Sequence, residues 1–274
     1  MSAGVSERET TQDEQTEVDE YEGTGGGKAP AAANPVFTIR DLVLPVAVAA
    51  VLVALYFYIQ AQELDNIEVN LLNISTLVSA TIDHIVLSFT IAVLVVAIAV
   101  PLGVLVTREK TKRSAPIVLA LANLGQAAPS LGLLALVGIF YIGFRPVVLV
   151  ITAYAVLSVL RNTIAGLQQV NTGVLDAAKG MGMSPAAVLM KVELPLAVPI
   201  IGAGARTALI LAVATVPLGA FLNAGGLGQQ LFGAIKTDRP VATLSIAVII
   251  ACLALTLDWV AGILQRWATP RGIR

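Results

Sequence analysis

Six apolar stretches decide what this chain can fold into: Leu42–Gln60, Ile85–Thr107, Ala115–Ile142, Pro146–Leu160, Leu196–Leu222 and Val241–Leu264. A bilayer core takes about 20 helical residues to cross. Each stretch reaches or approaches that length, the fourth if it runs on through Arg161 to Ile164. With 57% hydrophobic and 13% charged residues, the composition lies outside the soluble range. The expectation is an all-α integral membrane protein with about six transmembrane helices.

Charge gives the orientation. Residues 1–28 hold eight acids and two bases, which leaves ten acids and fifteen bases for the rest. The loop TREKTKRS, with Arg108, Lys110, Lys112 and Arg113, is the strongest cytoplasmic anchor under the positive-inside bias of short loops. Alternating from it, the segment with Glu63, Asp65, Glu68 and Asp83 falls outside. Segment 161–195, with Arg161, Lys179 and Lys191, falls inside, as does the arginine-rich C-terminus. Both termini are then cytoplasmic at the cell membrane, with Arg40 on the fitting side of the first span. Lys236 and Arg239, in loop 223–240, lie outside against the rule.

The expected divisions are an acidic disordered tail at 1–35, a first span and outer segment at 36–79, a five-helix core at 80–266 with a cytoplasmic loop at 161–195, and a basic C-terminus at 267–274. The tail has too few large apolar residues to fold alone and serves as a linker or a solvating device. Its GGGK is no phosphate loop, because Glu22 and Ala29 stand where Gly and Ser or Thr are required. No signal peptide is visible behind so acidic a leader, so the first apolar run is expected to remain as an anchor.

The stretch DAAKGMGMSPAAVLMKVELP, residues 176–195, interrupts the apolar runs. Asp176 is expected in the first turn of a short helix, where a carboxylate is favoured, with Gly180 and Gly182 ending it. Ser184 and Pro185 then cap and start a second helix, until Pro195 opens the next span. A bland connection between antiparallel helices needs only a few residues. An ordered, partly apolar segment of this length suggests a docking surface.

Asp176-Ala177-Ala178, Gly182 and Val192-x-Leu194-Pro195 resemble the cytoplasmic loop signature of permease subunits in ATP-binding-cassette importers. That pattern is Glu-Ala-Ala, Gly and Ile-x-Leu-Pro at the same offsets; here Asp stands for Glu and Val for Ile. The resemblance implies a type I permease-like fold whose loop couples to cytoplasmic ATPase subunits. Those subunits bind ATP and Mg, and this chain needs no cofactor. It also implies an extracytoplasmic substrate-binding protein and a second permease copy completing a twofold pore, most simply a homodimer. QAAPSLGLLAL (126–136), residues 180–210, NAGGLGQQLF (223–232) and LALTLDW (253–259) are similar to osmoprotectant permeases, which import glycine betaine, choline or carnitine. Permeases for methionine or sulfonates share the loop signature and remain the alternative.

Further polar residues sit inside the spans, where they are costly. Asn123, Gln126 and Ser130 surround Pro129 in the third span and are candidates for the translocation path or for interhelical hydrogen bonds. Gln126 and Ser130 would share one face across a proline kink. Arg206 lies ~15 Å into the fifth span by helix rise; a structural ion pair with Asp258 is expected, with snorkelling or substrate contact as the other outcomes. Gly202, Gly204, Ala205, Ala208 and Ala212 permit close helix approach and suit a helix at the dimer axis. Gly225, Gly226 and Gly228 form an outer gate loop by resemblance, or a flexible connection. His84 reads as interfacial and Cys252 as packing. Tyr56, Phe57, Tyr58, Trp259 and Trp267 read as interfacial belts.

No metal cluster or nucleophile–base pair can be drawn, so transport rather than bond chemistry is expected, with lipid around the chain and no nucleic-acid partner. A secondary transporter is the competing class; no inverted repeat or chain of intramembrane acids supports it.

Overall fold

A computed structural model describes residues 39–269. The expectations for the tail at 1–35, its GGGK and the last residues of the C-terminus lie outside the described residues. Among those described, every element is helical. In chain order they are α1 (Val43–Gln60), α2 (Asn66–Leu71), α3 (Ile74–Thr107), α4 (Ala115–Ala127), α5 (Ser130–Gly138), α6 (Phe144–Gln168), α7 (Thr172–Gly180), α8 (Pro185–Val188), α9 (Leu194–Thr215), α10 (Leu227–Lys236) and α11 (Pro240–Ala268). Five helical runs are long and apolar enough to cross a membrane, or six if the bent pair α4–α5 makes one crossing.

Local chemistry moves several boundaries from their expected places. Asn73 caps α3, its side chain accepting from the Ser75 amide at 2.9 Å. The helix therefore starts well before Ile85 and is 34 residues long, so the expected division at 79–80 falls within it. Helix α6 runs on to Gln168. The third span is broken rather than kinked. Ala128 precedes a proline, which disfavours helical backbone there, and it and Pro129 are extended with ψ of 137° and 122°. The chain bends by 84° there. Gln126 and Ser130 consequently do not share a helical face.

Three rows of side chains four residues apart build the core. Leu87, Ile91, Val95 and Ala99 of α3, Val147, Ile151, Ala155 and Val159 of α6, and Ala208 and Ala212 of α9 are all buried. Rows at this spacing form ridges that fit a neighbour's grooves. Hydrocarbon supplies no hydrophobic drive between helices, so close packing carries the association. The small residues that continue the rows are matched to particular partners. A Cβ on Gly103 would lie 2.6 Å from Thr163 Cγ2, and one on Gly204 would lie 2.7 Å from Asn162 Cβ. Within the chain, two glycines of the Gly202–Ala212 stripe have close partners: Gly204 meets α6, and Gly202 makes room for Gln265 of α11. Gln265 Nε2 donates to the Pro199 carbonyl at 2.8 Å.

The contacts sort into two ends, which gives each long helix its direction. At one end, the loop end, Arg266 forks onto Asp41 at 2.8 and 3.1 Å, and Trp259 Nε1 donates to the Asp41 carbonyl at 2.7 Å. Trp259 therefore ties α11 to the start of α1 rather than standing free as a belt residue. At the far end Arg239 pairs with Asp65 at 2.6 Å, so one of the two cations that broke the positive-inside pattern is neutralised locally. The Glu68 amide, followed by the charge of Arg239, holds the Asp65 carboxyl below its usual 3.8. Its pairing is thus present above that value and lost only as pH falls below it.

His84 is not interfacial. It is fully buried, and its Nε2 lies 3.1 Å from the Val213 carbonyl oxygen, which can only accept, so that nitrogen carries the proton. The carbonyl is free because its ordinary helical donor would be the amide of residue 217, which is a proline. Beside it the 223–228 loop is a packed seam rather than a slack connection. Gly225 and Gly226 have φ of +89° and +80°. A Cβ on Gly228 would lie 2.3 Å from the Pro217 carbonyl oxygen. We expect Gly228→Ala to lose about 3 kcal/mol or to prevent folding, whereas Gly180→Ala, which meets nothing within 4 Å, leaves thermal unfolding in detergent unchanged.

Candidate functional site

The signature stretch forms two short helices joined by a glycine turn. Asn171 caps α7, accepting from the Gly173 amide at 2.8 Å. Asp176 therefore lies in the middle of α7, not in its first turn, and meets Lys179 Nζ at 3.0 Å with both side chains exposed. The Gly182 amide bonds the Lys179 carbonyl at 2.9 Å and the Met183 amide bonds the Ala178 carbonyl at 3.2 Å. This paired closure needs a left-handed residue just past the helix, and Gly182 supplies it with φ +79°. Ser184 then caps α8, accepting from the Ala187 amide at 3.3 Å.

Each position of the signature has a distinct role in this geometry. Ala178 is buried and Ala177 exposed, so one small residue packs while the other faces out. Val192, Leu194 and Pro195 are half-buried. Pro195 does not open a new helix, because the chain stays helical from Pro185 onward through a π turn at Leu189–Glu193. Removing the amide of residue 195 strands an upstream carbonyl, and a wider turn is one way a helix absorbs that. The consequence is that α8 and α9 form one continuous helical run, with α7 joined to it through the glycine turn.

The polar residues within the spans fall into two groups. Asn123 is exposed on α4 and accepts from Arg161 Nη2 of α6 at 2.7 Å. Gln126 and Ser130 are half-buried on either side of the Ala128–Pro129 break. Arg206 and Asp258 join α9 to α11 through two parallel contacts, Nε to Oδ1 and Nη2 to Oδ2. Gly262 stands beside the guanidinium, where a Cβ would come within 3.1 Å of Nη1. At the far end, Gly225 adjoins the Asp83 side chain and Gly226 the His84 backbone.

Sequence reasoning missed the bidentate pair between Arg108, at the end of α3, and Glu193, in the π turn, at 2.6 and 2.9 Å. It missed the Asp41–Arg266 and Asp65–Arg239 pairs as well. Nothing in the spacing of such residues advertises a partner 85 or 225 positions away. The His84 contact had a signal, since a proline four residues after Val213 marks an orphaned carbonyl.

Long apolar helices around a packed core, one of them extended as a capped helical hairpin beyond the span, define a membrane-spanning transport subunit on which another component can act. Residues 99–271 match the binding-protein-dependent transport system inner membrane components, and the chain belongs to that family. It is 37% identical over 195 residues to the choline transport system permease protein OpuBB of Bacillus subtilis, covering 71% of this chain and 89% of that one. It is 35% identical over 217 residues to the osmoprotectant import permease protein OsmW of Salmonella typhimurium, covering 77% of this chain and all of that one. Among solved structures, a chain of the inward-facing MetNI methionine ABC transporter superposes with a TM-score of 0.63 at 25% identity, over 72% of this chain and 98% of that one.

Two substitutions separate the roles of these groups. Gly182→Ala should cost about 1 kcal/mol and increase proteolysis at residues 180–184 while the spans remain folded. Asp258→Asn should lower detergent stability by about 2 kcal/mol, and the Arg206→Asp/Asp258→Arg double variant should recover part of it; a double variant no better than either single one would refute a structural pair.

Proposed function

We propose that this chain is the permease subunit of an ATP-driven importer for a small compatible solute such as glycine betaine, choline or a related quaternary amine. The carrying observation is the identity with OpuBB over 89% of that protein, in a chain whose loop signature forms a helical hairpin continuous with α9 from Pro185 onward. The loop end faces the cytoplasm, as the cluster Arg108, Lys110, Lys112 and Arg113 favours. Both termini then lie inside and the 223–239 seam outside.

In this reading two copies of the chain form a twofold pore. A substrate-binding protein docks at the far end near Gly225, Gly226 and Gly228, and ATPase subunits dock on the loops formed by α7 and α8. Asp176, Ala177 and Met181 are exposed there. ATP and Mg belong to the ATPase subunits; this chain performs no covalent step. Closure of those subunits draws the loops together, and the stiff run from Pro185 into α9 turns that displacement into a switch of access. Asn123 and Arg161 place polar groups on the exposed side of α4 and α6, where a zwitterion or cation could pass; Gln126 and Ser130 flank the break that such a path would follow. The Arg206–Asp258 pair holds α9 and α11 together during the change.

The test is reconstitution with the cognate ATPase and binding protein, followed by uptake of labelled choline, glycine betaine and methionine. We expect ATP-dependent uptake of choline or betaine and none of methionine. Asp176→Lys should cut uptake about tenfold or more while ATP hydrolysis continues, the pattern of a lost coupling contact. Uptake that persists without ATP, or that is indifferent to this substitution, would overturn the reading.

A further inference from the structure

The exposed hairpin is attached to the spans by more than the chain itself. Glu193 ends the π turn between α8 and α9, with its side chain 9% exposed. It faces Arg108, the first residue beyond α3, and the two side chains meet fork to fork at 2.6 and 2.9 Å. Arg108 is itself held flat on the last turn of α3, because Nε donates to the Val104 carbonyl at 3.2 Å and Nη2 to Thr107 Oγ1 at 3.1 Å. Among the described residues, no other side-chain hydrogen bond joins segment 171–195 to another long helix. Glu193 stands at the variable position of Val192-x-Leu194-Pro195, so the family signature does not specify it.

A fork-to-fork arginine–carboxylate pair fixes direction as well as distance. Separating it would leave a nearly buried carboxylate without its partner, so the contact resists being pulled apart. Displacement of the hairpin would therefore reach two helices, α9 through the backbone and α3 through this pair. Both pack in the core, α3 against α6 and α9 against α6.

We propose that Arg108 and Glu193 are positioning residues for coupling: through them, movement of the α7–α8 hairpin drives α3 together with α9. This rests on the importer reading above and adds a second driven helix to it. Lysine in place of Arg108 keeps the charge but not the planar fork, so it separates directional transmission from simple attraction.

The experiment measures ATP hydrolysed per solute imported in the full reconstituted complex, beside thermal stability and ATPase co-purification. Arg108→Gln and Glu193→Gln should each assemble yet raise the ratio about tenfold, by lowering uptake more than hydrolysis. Arg108→Lys should fall between, and Arg108→Glu/Glu193→Arg should restore most of the coupling. A wild-type ratio in Arg108→Gln, or a double variant no better than the single ones, would overturn the proposal. If Arg108→Gln does not assemble, Arg108→Lys decides, since a wild-type ratio there excludes a directional role. Asp176→Lys run in parallel distinguishes the two levels: if it uncouples and Arg108→Gln does not, only the α3 tie fails. A wild-type complex that imports nothing refutes the importer reading itself.

Discussion

Hydrocarbon offers no hydrogen bonds, so every backbone polar group in the spans must find its partner within the protein. The helices satisfy this by default, and the prolines test it. Pro217 strands the Val213 carbonyl, and a fully buried histidine from α3 supplies the missing donor. At Ala128–Pro129 the backbone leaves the helix, and the flanking helices meet at 84°. Pro195 is accommodated by a π turn that lets α8 and α9 continue as one rod. Pro101 and Pro199, by contrast, lie inside α3 and α9 without ending either helix.

The same constraint explains how the ends differ from the middle. Between the spans, association rests on rows of aliphatic side chains with glycine or alanine where backbones close up. Charged pairs appear toward the ends, where water or headgroups can complete their solvation: Asp41 with Arg266 and Arg108 with Glu193 at one end, Asp65 with Arg239 at the other. Arg206 with Asp258 is the pair placed farther along α9, and it is fully matched, as such a position demands. Each pair joins helices distant in sequence, beside the interhelical hydrogen bonds of His84 and Gln265.

Much of this was legible in the sequence because the signals were local. Apolar length gave the spans, Ser184-Pro185 gave the start of α8, and Gly182 gave the turn before it. The resemblance carried by Asp176-Ala177-Ala178 and Val192-x-Leu194-Pro195 pointed to the family that the relatives establish. What sequence left hidden was non-local. The spacing of the Gly202–Ala212 stripe could not say that Gly204 would meet α6 and Gly202 the side chain of Gln265. His84 looked interfacial because its neighbour Asp83 is polar, while its own side of α3 turns inward. Asp176 moved to mid-helix because Asn171, five residues earlier, is the cap. Arg108 and Glu193 are ordinary loop charges until the fold brings them together.

In the proposed function the hairpin of α7 and α8 is a lever moved by an ATPase outside the membrane. The most direct test of that role is a spin label at position 181, where Met181 is exposed, introduced as Met181→Cys in a Cys252→Ala background. The distance between the labels of the two permease copies is then measured in the reconstituted complex without nucleotide and with ATP trapped. The labels should move closer when ATP is bound. A distance distribution unchanged by ATP, in a complex that still imports solute, would contradict the lever.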